Sequence, residues 1–355
     1  MTLAMHMANE LLSIPVAAVT LVLAGAIVVA AAVIARRTPA PERLPLMGVM
    51  GAFVFAAQMI NFTIPGMPGT SGHLGGGVLL AIALGPAAAI VTMTAILIVQ
   101  CLLFQDGGLL ALGCNIINMG VVPCLLGWGV YRLALGRARR AKAWRQYLAA
   151  WAACVVGMAG GAALVPIQAR ASDVLRVSLV DFLAVMIGVH LLIGLIEGLI
   201  TFAVVAYLRR VRPEIVGLSQ PDEAGRRLSP RAVAVSLFAT ALLLAGVVSW
   251  FASSHDDGLE WALGRRYGQA EGALGNPSPA AARATEVQAG LAPLPDYTLP
   301  PDGAGEGEAA EAAWPAIDGW GSLAGVVGTV VTLVVVYLAS LVMRRRQPQK
   351  AAPAP

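Results

Sequence analysis

Charge is scarce in this chain. Asp, Glu, Lys and Arg make up 12% of its 355 residues, about half the share usual in a soluble domain. Lysine occurs only as Lys142 and Lys350. This poverty excludes an ordinary soluble enzyme. The hydrophobic content of 58% also excludes a disordered chain, which needs few apolar residues. Neither lysine lies in a GxxxxGK(S/T) phosphate loop, so ATP hydrolysis of that kind must come from elsewhere. No HExxH pair is present, which removes the common metalloprotease pattern. Cys101, Cys114, Cys124 and Cys154 form no CxxC pair and lie in or beside apolar runs. They read as small buried hydrophobes, not as a zinc knot or a disulfide framework. A cleavable leader is not expected either. The first apolar run follows a polar stretch without a basic residue and precedes Arg36-Arg37, the reverse of a secretory signal.

What the chain has in abundance is long apolar runs, with a mean hydropathy of +0.75. Several reach the ~18–20 residues that cross a bilayer. Outer-membrane barrels instead show ~10-residue alternating strands. The expected fold is therefore an all-α polytopic membrane protein. Candidate spans are 12–35, 45–60, 74–86, 87–104, 109–131, 147–166, 178–208, 232–251 and 321–343. The third and fourth are short and meet at Gly85-Pro86. This gives a block of about eight spans (1–251), an acidic loop (252–320), and a last span with a basic tail (321–355).

The basic residues set the orientation. With the N-terminus outside, 19 of the 24 Lys and Arg fall on cytoplasmic segments and 5 outside. This bias follows the positive-inside rule and predicts N-out, C-in. It also explains the net charge of +4 without nucleic acid. Residues 252–320 break the trend with 11 acidic and 3 basic residues. Their middle, from Gly268 to Pro293, reads as a low-complexity linker.

Four histidines are the natural candidates for chemistry: His6, His73, His190 and His255. Under the predicted topology His6 and His73 share the external face. His73 sits in SGHLGGG, where glycine permits close backbone approach. His6 lies in MTLAMHMANELLS. If translation starts at Met5, a free amine stands one peptide unit from His6. That amine, the His6 amide nitrogen and the His6 Nδ1 then make fused five- and six-membered chelate rings. His73 can fill the fourth corner. Four nitrogens in a plane favour Ni(II) or Cu(II) over tetrahedral zinc, and low-spin Co(II) is also compatible. If Met1 is the start, this chelate is lost.

His190 and Glu197 lie seven apart in GVHLLIGLIEGLITF, on one helix face. Buried ionisable groups in a span are functional candidates, and these two read as support for a site. Asn115 and Asn118, at i, i+3 in the fifth span, can anchor the terminal segment or the His73 loop, or can join helices. Asp106 stands at the preceding turn.

Four motifs in order, MHMANELLS, SGHLGGG, DGGLLALGCNIINMG and HLLIGLIEGLIT, resemble the CbiM/NikM family over roughly residues 5–210. These proteins are the substrate-binding (S) components of energy-coupling-factor (ECF) transporters for nickel and cobalt. SSHDDGLEW resembles the PDGLE segment of the companion CbiN/NikN component, and LPDY followed by a last span resembles its ending. The chain thus looks like the two fused.

The resemblance implies a metal site of Met5, His6 and His73; beside it, Asn115, Asn118, His190 and Glu197 are expected in support on the reading of the spans above. It implies no cofactor and no enzymatic activity, with Ni(II) or Co(II) as the transported substrate. The implied partners are a transmembrane T subunit (CbiQ/NikQ type) and ATPase subunits (CbiO/NikO type) in the cell inner membrane. Four residues precede Met5, so a start at Met5 is expected. Asp256-Asp257-Gly258 stands where the family has Pro-Asp-Gly. The MHMA start favours nickel over cobalt. The competing reading is a self-contained ion-coupled carrier, which needs midplane charges and internal repeats. Glu197 and Asp181 are the only candidates for such charges, and no repeat is visible.

Overall fold

The computed structural model describes residues 6–37, 43–136, 142–213, 215, 228–266, 278–298 and 314–343. The apolar runs all fold as helices. In chain order these are α1 (Ile14–Arg37), α2 (Arg43–Gln58), α3 (Gly77–Leu84), α4 (Pro86–Phe104), α5 (Leu112–Leu135), α6 (Ala143–Ala171), α7 (Leu179–Val211) and α8 (Pro230–Gly246). Three more follow: α9 (Gly258–Trp261), α10 (Pro279–Leu291) and α11 (Gly319–Met343).

Among the described residues six helices are long and apolar enough to cross a membrane: α1, α4, α5, α6, α7 and α11. The expectation of about eight spans plus one is corrected on one point. The third segment, 74–86, forms only the eight-residue α3, about 12 Å long, which cannot cross a ~30 Å core. All eight of its residues are buried, as a helix apolar on every side must be. The chain reaches α3 through the extended His73 loop, which uses up the start of that segment. Gly85, at φ 85°, and Pro86 then break the helix and start α4, because proline suits a first helical position and no interior one. The helices α2 and α8, with 16 and 17 residues, are also shorter than a typical span.

Close helix contact positions the rest. The α6–α7 hairpin packs on Gly194 and Gly198. A Cβ there would lie 2.7 Å from Val155 Cα and 2.8 Å from Trp151 Cα respectively, so the GxxxG spacing serves backbone approach. On α11, Gly328 lies directly against the Phe55 ring of α2, and α8 packs on both α2 and α11. The main core runs through α2 to α6, and a second cluster holds Met7, Leu11 and Leu12 against Cys114, Phe182, Leu259 and Leu263. Strands β1 (Phe62–Thr63), β2 (Thr70–Gly72) and β3 (Asp256–Asp257) form a small sheet in the order β1-β2-β3. The first pair is antiparallel. The second is parallel, with Thr70 opposite Asp256 and Ser71 opposite Asp257.

The predicted linker from Gly268 to Pro293 is a second correction. Residues 278–293 of it are described, and Pro279–Leu291 is the helix α10. Ser278 caps it by accepting from Ala281 N, and Ala281, Ala284 and Gln288 are buried. Alanine is the best helix former and needs little side-chain ordering. A low-complexity composition therefore hid a helix with one docking face.

Candidate metal site

The N-terminal segment, the 105–111 turn, the His73 loop, β3 and α10 gather at one end of the bundle. There the His6 and His73 rings stack, with centroids 5.9 Å apart and planes at 23°. Both side chains are buried.

His6 is placed by main-chain contacts. Met7 N donates to Asn115 Oδ1 (2.8 Å) and Asn115 Nδ2 donates to Met7 O (3.1 Å), a two-point clamp from α5. Gly108 N also reaches Met7 O (2.9 Å), and Leu110 N reaches Asn9 Oδ1 (2.8 Å). Gly107, at φ 87°, lies beneath His6; a Cβ there would stand 2.9 Å from His6 Cβ. The helix α10 closes over this segment. Gln288 Nε2 donates to Gly107 O (2.7 Å) and Cys101 O (3.0 Å), while its Oε1 accepts from Leu109 N and Asn9 Nδ2. Thr285 bridges Asn9 and Glu10.

A carboxylate places His73. Glu197, fully buried on α7, accepts from Gly75 N (3.0 Å) and Gly76 N (3.1 Å). Gln58 Nε2 donates to Gly75 O (2.9 Å), while Gln58 Oε1 accepts from Gln100 Nε2 (3.0 Å). From the other side β3 pairs with the loop, and Ser71 Oγ donates to His255 O (2.8 Å). His73 Nδ1 lies 2.9 Å from Leu74 O. A carbonyl only accepts, so Nδ1 carries the proton and Nε2 holds the lone pair. Burial, reinforced by the neighbouring His6, pushes the His73 pKa down to about 4. The ring is therefore neutral and able to ligate at physiological pH.

Asp106 completes the cluster. Its Oδ1 lies 2.7 Å from His6 Nδ1, and Tyr297 donates its hydroxyl to Oδ2 (2.7 Å). Burial raises the Asp106 pKa, but the adjacent His6 and the Tyr297 hydrogen bond outweigh it, and the net shift is downward. The tyrosine hydroxyl is pushed well up by burial and by that carboxylate. Despite their closeness, His6 Nδ1 and Asp106 Oδ1 lack hydrogen-bond alignment, and His6 Nε2 has no partner among the described residues. Buried polar atoms normally find one; an imidazole nitrogen left open is a group able to ligate a metal. Among the described residues no three His, Cys, Asp or Glu side chains close on one point. Two imidazoles are thus what the side chains offer, and further donors must come from the main chain. Met5 lies outside the described residues.

The other expected residues divide. Asn115 clamps the terminal segment. Asn118 instead pairs reciprocally with Gln168 (2.7 and 2.9 Å), joining α5 to α6, with Met7 Sδ 3.5 Å away. Glu197 braces the His73 loop. His190 is bonded within its own helix, Nδ1 to Met186 O (2.8 Å), and borders a cavity that also reaches Gly75 and Asn115. Sequence reasoning missed Asn9, Gln58, Gln100, Gln288 and Tyr297, and noted Asp106 only as a turn residue. A signal existed for Gln58 and Gln100, since amides inside apolar helices rarely lack a task.

Residues 6–215 match the CbiM family, described as a cobalt uptake substrate-specific transmembrane region. The chain belongs to this family. Residues 231–345 match the PDGLE domain, so this is a CbiM-type protein fused to a CbiN-like part, and the second match takes in α8. The putative fused nickel transport protein NikMN of Archaeoglobus fulgidus is 36% identical over 81% of this chain and 83% of its own. The probable fused nickel transport protein LarMN of Lactiplantibacillus plantarum is 37% identical over 48% of this chain and 54% of its own. A crystal structure described as a truncated transition metal transporter superposes with a TM-score of 0.50 at 30% identity. It covers 57% of this chain and 97% of its own. Long apolar helices and these relatives make the CbiM-family chain a multi-pass membrane protein.

Proposed function

We propose that this CbiM-family chain is the capture subunit of an ATP-driven, ECF-type importer for Ni(II) or Co(II), and that the ion is its transported substrate. The observation that carries this reading is the His6–His73 stack at 5.9 Å, brought together from segments 67 residues apart. The proposed donors are the Met5 amine, the His6 amide nitrogen, His6 Nδ1 and His73 Nε2. The first three form fused chelate rings and the fourth closes a square plane, the geometry of Ni(II) with nitrogen ligands. Loss of the amide proton and the nearby Asp106 carboxylate reduce the buried charge. Asn115 and Glu197 position the two segments. The names of the relatives, nickel and transition-metal transport proteins, support the same cargo.

In this reading the site end faces outside and the C-terminus lies in the cytoplasm, because 19 of the 24 basic residues then fall on the inner side. ATP hydrolysis comes from partner ATPase subunits, coupled through a transmembrane T subunit. An ion-coupled carrier would need a mobile charge in midspan, yet Glu197 has both oxygens committed to the His73 loop.

The test is nickel uptake by cells producing the chain with its partners, beside titration of the purified protein with Ni(II). Replacing His6 or His73 with Ala removes a direct ligand. We expect losses beyond the roughly 10–100-fold typical of outer-shell changes. The intact mass of active protein is expected to begin at Met5. Metal-loaded, active protein that retains the four preceding residues overturns the chelate.

A further inference from the structure

Beneath the His73 loop, between α5, α6 and α7, lies a cavity bordered by Gly75, Asn118, Met119, Met158, Met186 and His190. Its polar group of note is the His190 imidazole, buried to 5% exposure. Nδ1 faces the Met186 carbonyl at 2.8 Å and so carries the hydrogen. The lone pair is left on Nε2, which no described residue takes. A histidine that gives one N–H to a carbonyl and keeps the other nitrogen free is built like a metal ligand.

The remaining walls are rich in sulfur. Met119, Met158 and Met186 all line it, and Met158 Sδ lies against the loop, 2.6 Å from where a Cβ on Gly75 would be. Among the described residues no free carboxylate lines the cavity; Glu197, close by, has both oxygens held by Gly75 and Gly76.

We propose that this cavity is a second metal site, separate from the His6–His73 site, which binds a soft monovalent d10 cation of the Cu(I) class through His190 Nε2 and methionine thioethers. Thioethers are polarisable ligands that select Cu(I) over harder ions. A divalent ion finds no uncommitted carboxylate among the lining residues to ligate it, and the cost of burying charge without a direct partner is steep. A singly charged ion with two or three neutral ligands avoids most of that cost. The two sites thus sort metals by donor atom: nitrogens in a plane for Ni(II) or Co(II), nitrogen with sulfur for Cu(I).

The experiment uses the full chain in detergent, titrated without oxygen with Cu(I) against a chromophoric Cu(I) chelator, with Ag(I) as a redox-inert second probe. Ni(II) titration runs in parallel. One Cu(I) per chain is expected, with sulfur in its X-ray absorption shell. His190→Gln and Met158→Leu are each expected to weaken Cu(I) and Ag(I) at least tenfold while Ni(II) affinity stays within twofold, which also shows that the variants fold. His73→Ala is expected to do the reverse. No Cu(I) uptake by the native chain overturns the proposal. So does uptake equal in the native, His190→Gln and Met158→Leu proteins, the result that binding by the buried thiols of Cys124 and Cys154 would give. Loss of Ni(II) binding in His73→Ala is read independently, so either site can fail alone.

Discussion

The N-terminal segment and the His73 loop meet in one ring stack, yet their anchors differ in kind. The first is held in buried surroundings by neutral amides: Asn115 from α5 binds the Met7 main chain, and Gln288 from α10 binds the Asn9 side chain and the 107–109 turn. The second is gripped by an ionised-type side chain in the bundle interior, Glu197, on two consecutive N–H groups. Carboxylate-to-amide hydrogen bonds are roughly twice as strong as neutral ones. A buried acceptor that is removed also leaves its donors unpaired. One histidine is therefore fixed to the rigid core. The other sits on a buried segment held by neutral hydrogen bonds.

Substitutions at four positions break or sharpen this contrast, all read by Ni(II) titration and thermal unfolding in detergent. Glu197→Ala has the largest effect. It leaves two buried N–H groups without acceptors, about 1–3 kcal/mol each, and Ni(II) affinity falls by more than about 100-fold once His73 loses its seat. Glu197→Gln keeps one acceptor and recovers part of this. Asn115→Ala comes second, with about a 10–100-fold loss in affinity, because the clamp on Met7 opens beside His6. Gln288→Ala is third: α10 loosens, stability drops by about 1–3 kcal/mol, and affinity falls by less than in Asn115→Ala. Tyr297→Phe is smallest, removing one hydrogen bond to Asp106 at about 0.5–1.5 kcal/mol. If Gln288→Ala matches Glu197→Ala, the distinction between a carboxylate-held and an amide-held histidine fails.

Much of this arrangement could be read from residue order. The nine apolar runs all fold as helices, and His6, His73, Asn115 and Glu197 stood out because polar groups in or beside spans are costly to keep. Their partners did not stand out. Glu197 binds main-chain N–H groups more than a hundred residues away, and main chain has no sequence signature. Asp106 looked like a turn residue until the fold set it beside His6. The helix α10 was missed because Ala and Gly dominated its neighbourhood. Ser278-Pro279 ahead of an alanine-rich stretch was the available clue, being a cap followed by proline at the first helical position. The strands, two or three residues each, are too short for any alternation to register.

The parallel pairing of Thr70 with Asp256 and Ser71 with Asp257 carries one more consequence. It stitches the half of the chain that bears His73 to the half that follows α8 by backbone atoms, and such a seam is indifferent to most side-chain drift. A chain cut between residues 215 and 231 therefore keeps the means to re-form it. Two polypeptides divided there would each carry one strand of the seam.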